Sequence, residues 1–266
     1  KICSEYKGDD EGELQGMFRE ITDPAFRQSW AFSWARSWPK GYPGDFKILE
    51  SIYEGFPKGK GLGGYLDIFG FNTKLARAVK HRMETMGRIL SMETYKRNGN
   101  LRVLNVASGP CREYFMFKDH LDFKRTEFVC LDMDEEAFDY VKDRLEKENI
   151  RGKFEFVKGN ALRFDFPSLG KFDIIYSVGL MDYVEDSAVK KMLISWKGML
   201  NPDGIIVVSF KDAERYDKTF YQWFANWYFL QRNYGDILNL LKESGFSEIV
   251  PIRESTGSIV LFVLKP

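Results

Sequence analysis

The 266-residue sequence holds only two histidines, His81 and His120, and three cysteines, Cys3, Cys111 and Cys130. Two histidines are too few for a His-rich metal site, and a mechanism needing a catalytic histidine pair must use these two. The cysteines cannot frame a small disulfide-stapled fold and follow no metal-ligand spacing. A reducing, cytoplasmic setting is therefore the simplest expectation. No apolar run approaches the roughly 18 residues of a membrane span. The start, KICSEYKGDDEGE, is polar and acidic and carries no signal-peptide pattern. Net charge is absent as well, since 39 Lys and Arg face 39 Asp and Glu. That balance argues against a protein that coats nucleic acid through bulk electrostatics. Internal repeats and low-complexity stretches are missing.

The charge that is present is unevenly spread. Residues 1–23 carry a net charge of −4, residues 24–99 a net of +7 and residues 100–266 a net of −3. The pattern predicts a helical N-terminal extension or lid over residues 1–99, ahead of a separate domain over residues 100–266. In the extension, Pro24 to Trp38 is rich in aromatics at mixed helical spacing. A turn-rich loop, Lys40-Gly41-Tyr42-Pro43-Gly44-Asp45, follows. Asp45 is placed to cap a helix carrying Phe46, Ile48, Leu49, Ile52 and Tyr53. Gly59 to Gly64 reads as a break. Asn72 is then expected to cap a long helix whose apolar stripe is Leu75, Val79, Met83, Met86 and Leu90. Lys74, Arg77, His81 and Arg88 fall on its other face, and Arg82 lies at the edge of the stripe, where it can point inward.

From Leu101 the pattern becomes strands alternating with helices. Short runs rich in Val, Ile and Phe lie at 102–107, 126–131, 153–157, 172–177 and 204–210, as suits the central strands of a parallel sheet. Helical patterns span 134–147 and 186–200. A last helix near 234–244 leads to strands at 248–252 and 258–264, whose short separation predicts an antiparallel pair at one end of the sheet. The fold class is α/β, a Rossmann-like sandwich with a mostly parallel seven-stranded sheet and the last strands antiparallel.

Small or polar residues cluster just beyond four strand ends. The first strand runs into Ala107-Ser108-Gly109-Pro110-Cys111, where small residues let backbone N–H groups approach a ligand at a helix N-terminus. The second ends at Asp132, 23 residues after Gly109, close to the roughly 20-residue offset at which an acid reaches a ribose hydroxyl pair. Gly159-Asn160-Ala161 follows the third strand, and Ser177-Val178-Gly179-Leu180-Met181-Asp182-Tyr183 extends beyond the fourth. Each alone has an ordinary reading: a tight turn, a helix cap at Asp132, a loop residue at Asp182. Together they point to a nucleotide-type ligand at the carboxyl ends of the strands.

This set resembles the class I S-adenosylmethionine-dependent methyltransferases. NVASGPCRE is similar to their first motif and LDMD to their ribose-binding acidic motif. GNALRF resembles the adenine-contacting segment, and FDIIYSVGLMDYVED the motif at the methionine end. The departures lie in the first motif, where Asn105 takes the usual acidic position and Ala107 and Cys111 replace glycines. A narrower resemblance, through GYPGDFKILESIYEG, ARAVKHRMETM, YSVGLMDYV and NWYFLQRN, is to bacterial methyltransferases assigned to biosynthesis of extracellular-factor 3-hydroxypalmitic acid methyl ester.

The resemblance implies S-adenosyl-L-methionine as cofactor. It implies contacts from Ala107, Ser108, Gly109, Pro110, Asp132, Met133, Asn160, Ala161, Ser177, Val178 and Gly179, with Arg82 and Tyr42 added from the extension. It further implies a small-molecule acceptor, a hydroxy fatty acid or similar carboxylic acid. Such an acceptor is already ionised near neutral pH and needs no general base, which the scarcity of histidine fits. Asp182 and Tyr183 are the alternative bases, Tyr183 doubling as a pocket wall, and Arg232 is the candidate acid anchor, with Trp223, Trp227 and Tyr228 near it in sequence. Competing readings are a methyltransferase for another small metabolite and a cofactor-binding module without turnover. A nicotinamide oxidoreductase is disfavoured by the absent G-x-G-x-x-G, and a nucleic-acid methyltransferase by the charge balance and by the lack of an Asn/Asp-Pro-Pro-aromatic tetrapeptide.

Overall fold

The structure, a computed structural model, describes residues 9–266; the start KICSEYKG, with Cys3 and the absent signal-peptide pattern, lies outside the described residues. The first elements are α1 (Asp9–Phe26), α2 (Trp30–Ser37), α3 (Phe46–Glu54), α4 (Leu62–Phe71) and α5 (Lys74–Lys96). They are followed by β1 (Leu101–Val106), α6 (Arg112–Met116), β2 (Thr126–Asp132), α7 (Glu135–Lys147), β3 (Lys153–Lys158) and β4 (Phe172–Ser177). The last are α8 (Asp186–Gly198), β5 (Leu200–Lys211), α9 (Lys218–Ala225), α10 (Tyr234–Glu243), β6 (Glu248–Arg253) and β7 (Ile259–Lys265).

The chain divides into two compact units, one reaching to Arg77 together with Ala213–Phe229, the other formed by Ala78–Asp212 and Leu230–Pro266. This differs from the expected division between residues 99 and 100. The cause is the apolar stripe of α5: Met86, Ile89 and Leu90 share one buried cluster with Val103 of β1 and Phe128 of β2. The helix thus covers the sheet instead of standing apart from it.

In the first unit, Phe32 and Ala35 of α2 pack with Ala225 of α9, flanked by Phe26, Leu66, Phe220 and Phe224. The polar centre is Asp67, fully buried on α4. Its carboxylate accepts from the Ser29 hydroxyl (2.5 Å) and from the backbone N–H groups of Ala31 (2.9 Å), Lys58 (2.9 Å) and Gly59 (2.7 Å). Burial would raise its pKa, but these hydrogen bonds outweigh it and hold the carboxyl below its ordinary value. Gly63 is required where α4 meets the end of α1: a Cβ there would stand 1.9 Å from the Gln28 carbonyl oxygen. Asp45 caps α3, accepting from Lys47 (2.8 Å) and Ile48 (3.2 Å), and also takes the Trp34 indole N–H (2.7 Å). Asn72 does not start the long helix. It closes α4, with its side chain donating to the Ile68 carbonyl (2.8 Å). The glycines of LGGYLDIFGF read as a break, which hides α4 in the sequence. Asp67 compensates by tying that helix to two other segments, at Ser29–Ala31 and Lys58–Gly59.

The second unit is a seven-stranded sheet in the order β3-β2-β1-β4-β5-β7-β6. β1 to β5 are parallel, and β7 runs antiparallel to both β5 and β6. Successive residues alternate between its faces, as pleating demands. Leu104, Val106, Ile175 and Val208 join Trp196 of α8 and Ile237 and Leu241 of α10 on one side. Val103, Ile174, Tyr176 and Val207 join Tyr114 of α6 and Phe138 and Val141 of α7 on the other. Strand order reverses between β1 and β4, so a crevice opens at their carboxyl ends, where such sheets bind ligands. Among the described residues, no helix is long and apolar enough to cross a membrane.

Candidate active site

The loop after β1 turns on three alternate tight positions. Ala107 (φ 55°), Gly109 (φ 53°) and Cys111 (φ 46°) all take the left-handed conformation. Two are non-glycine residues, each costing roughly 1–2 kcal/mol in this region. The loop is pinned to β2 by the Ser108 N–H, which donates to the Leu131 carbonyl (3.1 Å), and by the Gly109 N–H, which donates to Asp132 Oδ2 (2.8 Å).

Asp132 ends β2 and is buried. It does not cap α7. Asp134 does that, accepting from the Glu136 N–H (3.1 Å), while Asp132 Oδ1 accepts from the Asp134 N–H (3.0 Å). Each Asp132 oxygen keeps further lone-pair capacity beyond these bonds. Burial raises its carboxyl above the ordinary value despite the hydrogen bonds from Gly109 and Asp134. Its backbone carbonyl takes the Gly159 N–H (2.9 Å), which joins the loop after β3 to the same edge. There Asn160 is exposed and turns back to accept from the Leu162 N–H (2.9 Å), while Ala161 is buried in the core and Met133 is exposed.

Beneath the first loop lies a buried polar network. Asn105, which stands where an acid was expected, donates from Nδ2 to Glu113 Oε1 (3.2 Å). The Tyr176 hydroxyl donates to the same oxygen (2.5 Å) and lies 2.9 Å from the Tyr114 hydroxyl. The carboxylate missing from β1 thus reappears on α6 as Glu113. Sequence reading passed over it, although the GPCRE string contained it. Cys111 and Cys130 flank this network with their sulfurs 3.8 Å apart. Burial pushes the Cys111 thiol well up, so it is a core residue and not a nucleophile.

The segment after β4 is built differently, by side-chain ions. Asp182 is 2% exposed. Its Oδ1 accepts from the Lys211 backbone N–H (2.7 Å), its Oδ2 pairs with the Lys211 ammonium, and its own carbonyl takes the Leu230 N–H (2.9 Å). Lys211 closes β5. Burial lowers its pKa to about 8, opposed by Asp182 and reinforced by the Arg82 charge. Tyr183 is partly exposed, with the Lys211 ammonium 5.7 Å from its ring centre.

Arg232 points elsewhere than an acceptor anchor requires. Its Nε donates to Asp186 (2.7 Å), Nη1 to the Met181 carbonyl (2.8 Å) and Nη2 to the Val184 carbonyl. The fork is spent on holding the 181–186 segment. Arg82 is the opposite case. It is 3% exposed, and its Nε has no hydrogen-bond partner among the described residues. A Cβ at Gly179 would stand 3.5 Å from its Nη2. The Ser108 and Ser177 hydroxyls are also buried without partners among the described residues.

A methyltransferase domain family matches residues 103–204, which spans the loop after β1, Asp132, the loop after β3 and the segment after β4. This segment is similar to a methyltransferase domain. Comparison of the sequence with curated proteins finds no match. Among solved structures, the chain is similar to a possible exported protein from Bordetella parapertussis, with a TM-score of 0.68 and 17% identity over 83% of this chain and 79% of that one. It is also similar to magnesium protoporphyrin IX methyltransferase from Synechocystis PCC 6803, with a TM-score of 0.59 and 13% identity over 88% of this chain and 98% of that one. At these identities the likeness speaks for the fold.

The second unit thus gathers beyond the carboxyl ends of β1 to β4 the residues Ala107 to Pro110, Asp132, Met133, Asn160, Ala161, Ser177 to Gly179, Asp182 and Tyr183. Tyr42 belongs to the first unit, in the turn ahead of the Asp45 cap. Trp223 and Tyr228 also lie there. Trp223 packs edge-on against Phe18, and the Tyr228 hydroxyl donates to Gln15 (2.6 Å), which is the packed aromatic arrangement. Arg77 and Arg88 are exposed, and His81 lies against the Ser255 hydroxyl (2.5 Å). Lys211 was not foreseen. Its only signal was a lysine directly after a buried apolar run.

Proposed function

We propose that the chain transfers a methyl group from S-adenosyl-L-methionine to a small-molecule acceptor, the carboxylate of a hydroxy fatty acid or a similar acid. The cofactor reading is supported by the methyltransferase domain match and by the similar Synechocystis structure, whose protein is bound to SAH. The residues fit such a group: buried Asp132 has acceptor capacity for ribose hydroxyls, and the Ser108 and Ser177 hydroxyls are buried without partners. When bound, the cofactor supplies an electrophilic methyl group on a sulfonium. Asp132 would hold the ribose, Met133, Asn160 and Ala161 would flank the adenine, and the loop from Ala107 to Pro110 would border the methionine end. Ser177, Val178 and Gly179 would line that same end, and Tyr183 would wall the acceptor side.

The observation that carries the acid reading is the state of Asp182. Its carboxylate is ion-paired with the buried Lys211 ammonium and accepts the Lys211 backbone N–H, so taking a proton from an acceptor would break that buried pair. An amine or phenol needs proton removal, worth roughly 10²–10⁴-fold in rate; a carboxylate does not. What remains is positioning, which can supply roughly 7–11 kcal/mol of the barrier. A reducing, cytoplasmic setting belongs to this reading and is supported by the free thiols of Cys111 and Cys130.

The test is a product assay by mass spectrometry with S-adenosyl-L-methionine and matched panels of hydroxy acids, amines and phenols. Methyl esters should form. Methylated amines or phenols with no ester would overturn the acceptor class. Binding of the cofactor without any product would leave a binding module.

A further inference from the structure

Helix α4 has its polarity reversed. Its buried side carries Gly63, Gly64, Asp67 and Phe71. Its outer side carries Leu62, Tyr65, Ile68 and Phe69, between 44% and 75% exposed. Steps of three and four residues put these four on one stripe of the helix. A surface helix ordinarily turns such a stripe to the core and its charges to water. Here the helix's one charged residue, Asp67, is turned inward and held by four hydrogen bonds. The inner glycines are met closely by backbone. A Cβ would stand 1.9 Å from the Gln28 carbonyl oxygen at Gly63 and 2.9 Å from the Gly59 carbonyl oxygen at Gly64. Rolling the helix to hide its stripe would break these bonds and push larger side chains against that backbone. The apolar face is therefore locked outward.

The charges around the stripe say what it meets. Lys58 and Lys60 are exposed before α4, and Lys74 and Arg77 are exposed after it. Among the described residues, none of the four pairs with a carboxylate. Four exposed cations thus stand against one exposed acid, Glu54, over residues 54–77. Phe56, 74% exposed, lies in the same stretch. Large apolar side chains with cations at both ends are the make-up of a helix that lies in the plane of a membrane interface. An anionic bilayer offers hydrocarbon to the stripe and negative headgroups to the cations. A second copy of the chain would instead bring its own four cations to the same patch.

We propose that α4 docks the first unit on an anionic lipid bilayer. Leu62, Tyr65, Ile68 and Phe69 enter the acyl boundary, and Lys58, Lys60, Lys74 and Arg77 meet the headgroups. This is attachment to one face and not a span, because α4 has 10 residues where a span needs about 20. The proposal goes beyond methyl transfer and does not depend on it.

The experiment is co-sedimentation of the whole chain with vesicles of phosphatidylcholine alone and of phosphatidylcholine mixed with phosphatidylglycerol. Wild type should bind the mixed vesicles more tightly, on the order of tenfold or more, at about fivefold for each cation near the surface. Tyr65→Ser combined with Ile68→Ser should weaken that binding on the order of tenfold or more. Phe69 is left in place because it also packs against Phe220, with 5.7 Å between ring centres. Lys60→Gln should weaken binding about fivefold. Tyr95→Ser, which removes an 88% exposed aromatic on α5, should bind as wild type does. No binding of wild type to the mixed vesicles, or equal binding to both kinds, overturns the proposal, and neither arm needs a variant to fold. A loss with Tyr95→Ser as large as with the α4 variant also overturns it. So does a dimer in sedimentation velocity that Tyr65→Ser with Ile68→Ser disperses, seen without vesicle binding, because the stripe would then belong to a second copy.

Discussion

The two halves of the candidate site are made of different materials. At β1, β2 and β3 it consists of a strained turn, whose Ser108 and Gly109 N–H groups are tied to β2, and one carboxylate, Asp132, held by the Gly109 and Asp134 amides. At β4 and β5 it consists of side-chain ions: the Asp182–Lys211 pair, the Arg232 fork and the unpaired Arg82. The first half is fixed by backbone geometry. The second carries charge in a nearly dry environment. The difference suggests that binding and specificity are separable by mutation.

The largest expected effect lies in the ionic half. Asp182→Ala leaves the Lys211 ammonium buried without its counter-ion, and urea denaturation should show a loss of about 3–5 kcal/mol. Asp182→Leu combined with Lys211→Met should recover most of it, since apolar replacement of a buried pair is often neutral or stabilising. A loss below about 1 kcal/mol for Asp182→Ala would mean the pair is no more than a surface-type contact.

Next comes the backbone half. Asp132→Ala should weaken S-adenosylhomocysteine binding by about 1.5–3 kcal/mol, or on the order of 10–150-fold, with little loss of fold stability. Burial holds the Asp132 carboxyl above its ordinary value, so cofactor affinity should fall on acidification at a higher pH than for an exposed aspartate. Unchanged affinity in the variant would remove Asp132 from the site.

A smaller effect separates the halves by pH. The folded pKa of Lys211 is lowered from 10.5 to about 8. Across that window the unfolded chain binds the proton and the folded chain releases it, so stability rises with pH. The groups facing Lys211 are Asp182, Arg82 and Tyr183. Denaturation from pH 8 to 10.5 should show wild type gaining on Lys211→Met. A difference flat in pH would place the ammonium in water.

The smallest effect tests the strained turn. Ala107 is exposed with φ at 55°. Ala107→Gly should remove roughly 1–2 kcal/mol of strain and lose about 0.5–1 kcal/mol to unfolded-chain freedom. The net is a slight rise in Tm, or none. A fall in Tm would show that the Ala107 methyl group makes contacts that matter more than its backbone.

The same contrast explains what could be read from the sequence. The sheet was legible because each strand is a short apolar run bounded by turn residues, and the last two strands carried their antiparallel pairing in their spacing. The backbone half of the site was legible because its residues lie within a few positions of strand ends. Asp132 stood out by its offset from Gly109, and Asp134 resolves it from a helix cap. The ionic half depends on partners far apart in the chain. Lys211 meets Asp182 across 29 residues, and Arg232 meets Met181 across 51. No local spacing announces such a pair, so Lys211 was passed over and Arg232 was read as an acid anchor. Glu113 was missed for a related reason, since only β4, through Tyr176, shows that it replaces the acid absent at Asn105. The helix α4 was lost to its own glycines, which look like a break until Asp67 and the close approach at Gly63 are seen.

The most direct test of the central claim is thermal denaturation of the whole chain with S-adenosylmethionine, S-adenosylhomocysteine and NAD in parallel. Both sulfur ligands should stabilise the fold by about 2.7 kcal/mol at a hundredfold excess over Kd, and NAD should not. No shift with either sulfur ligand, or a shift with NAD alone, would contradict the account.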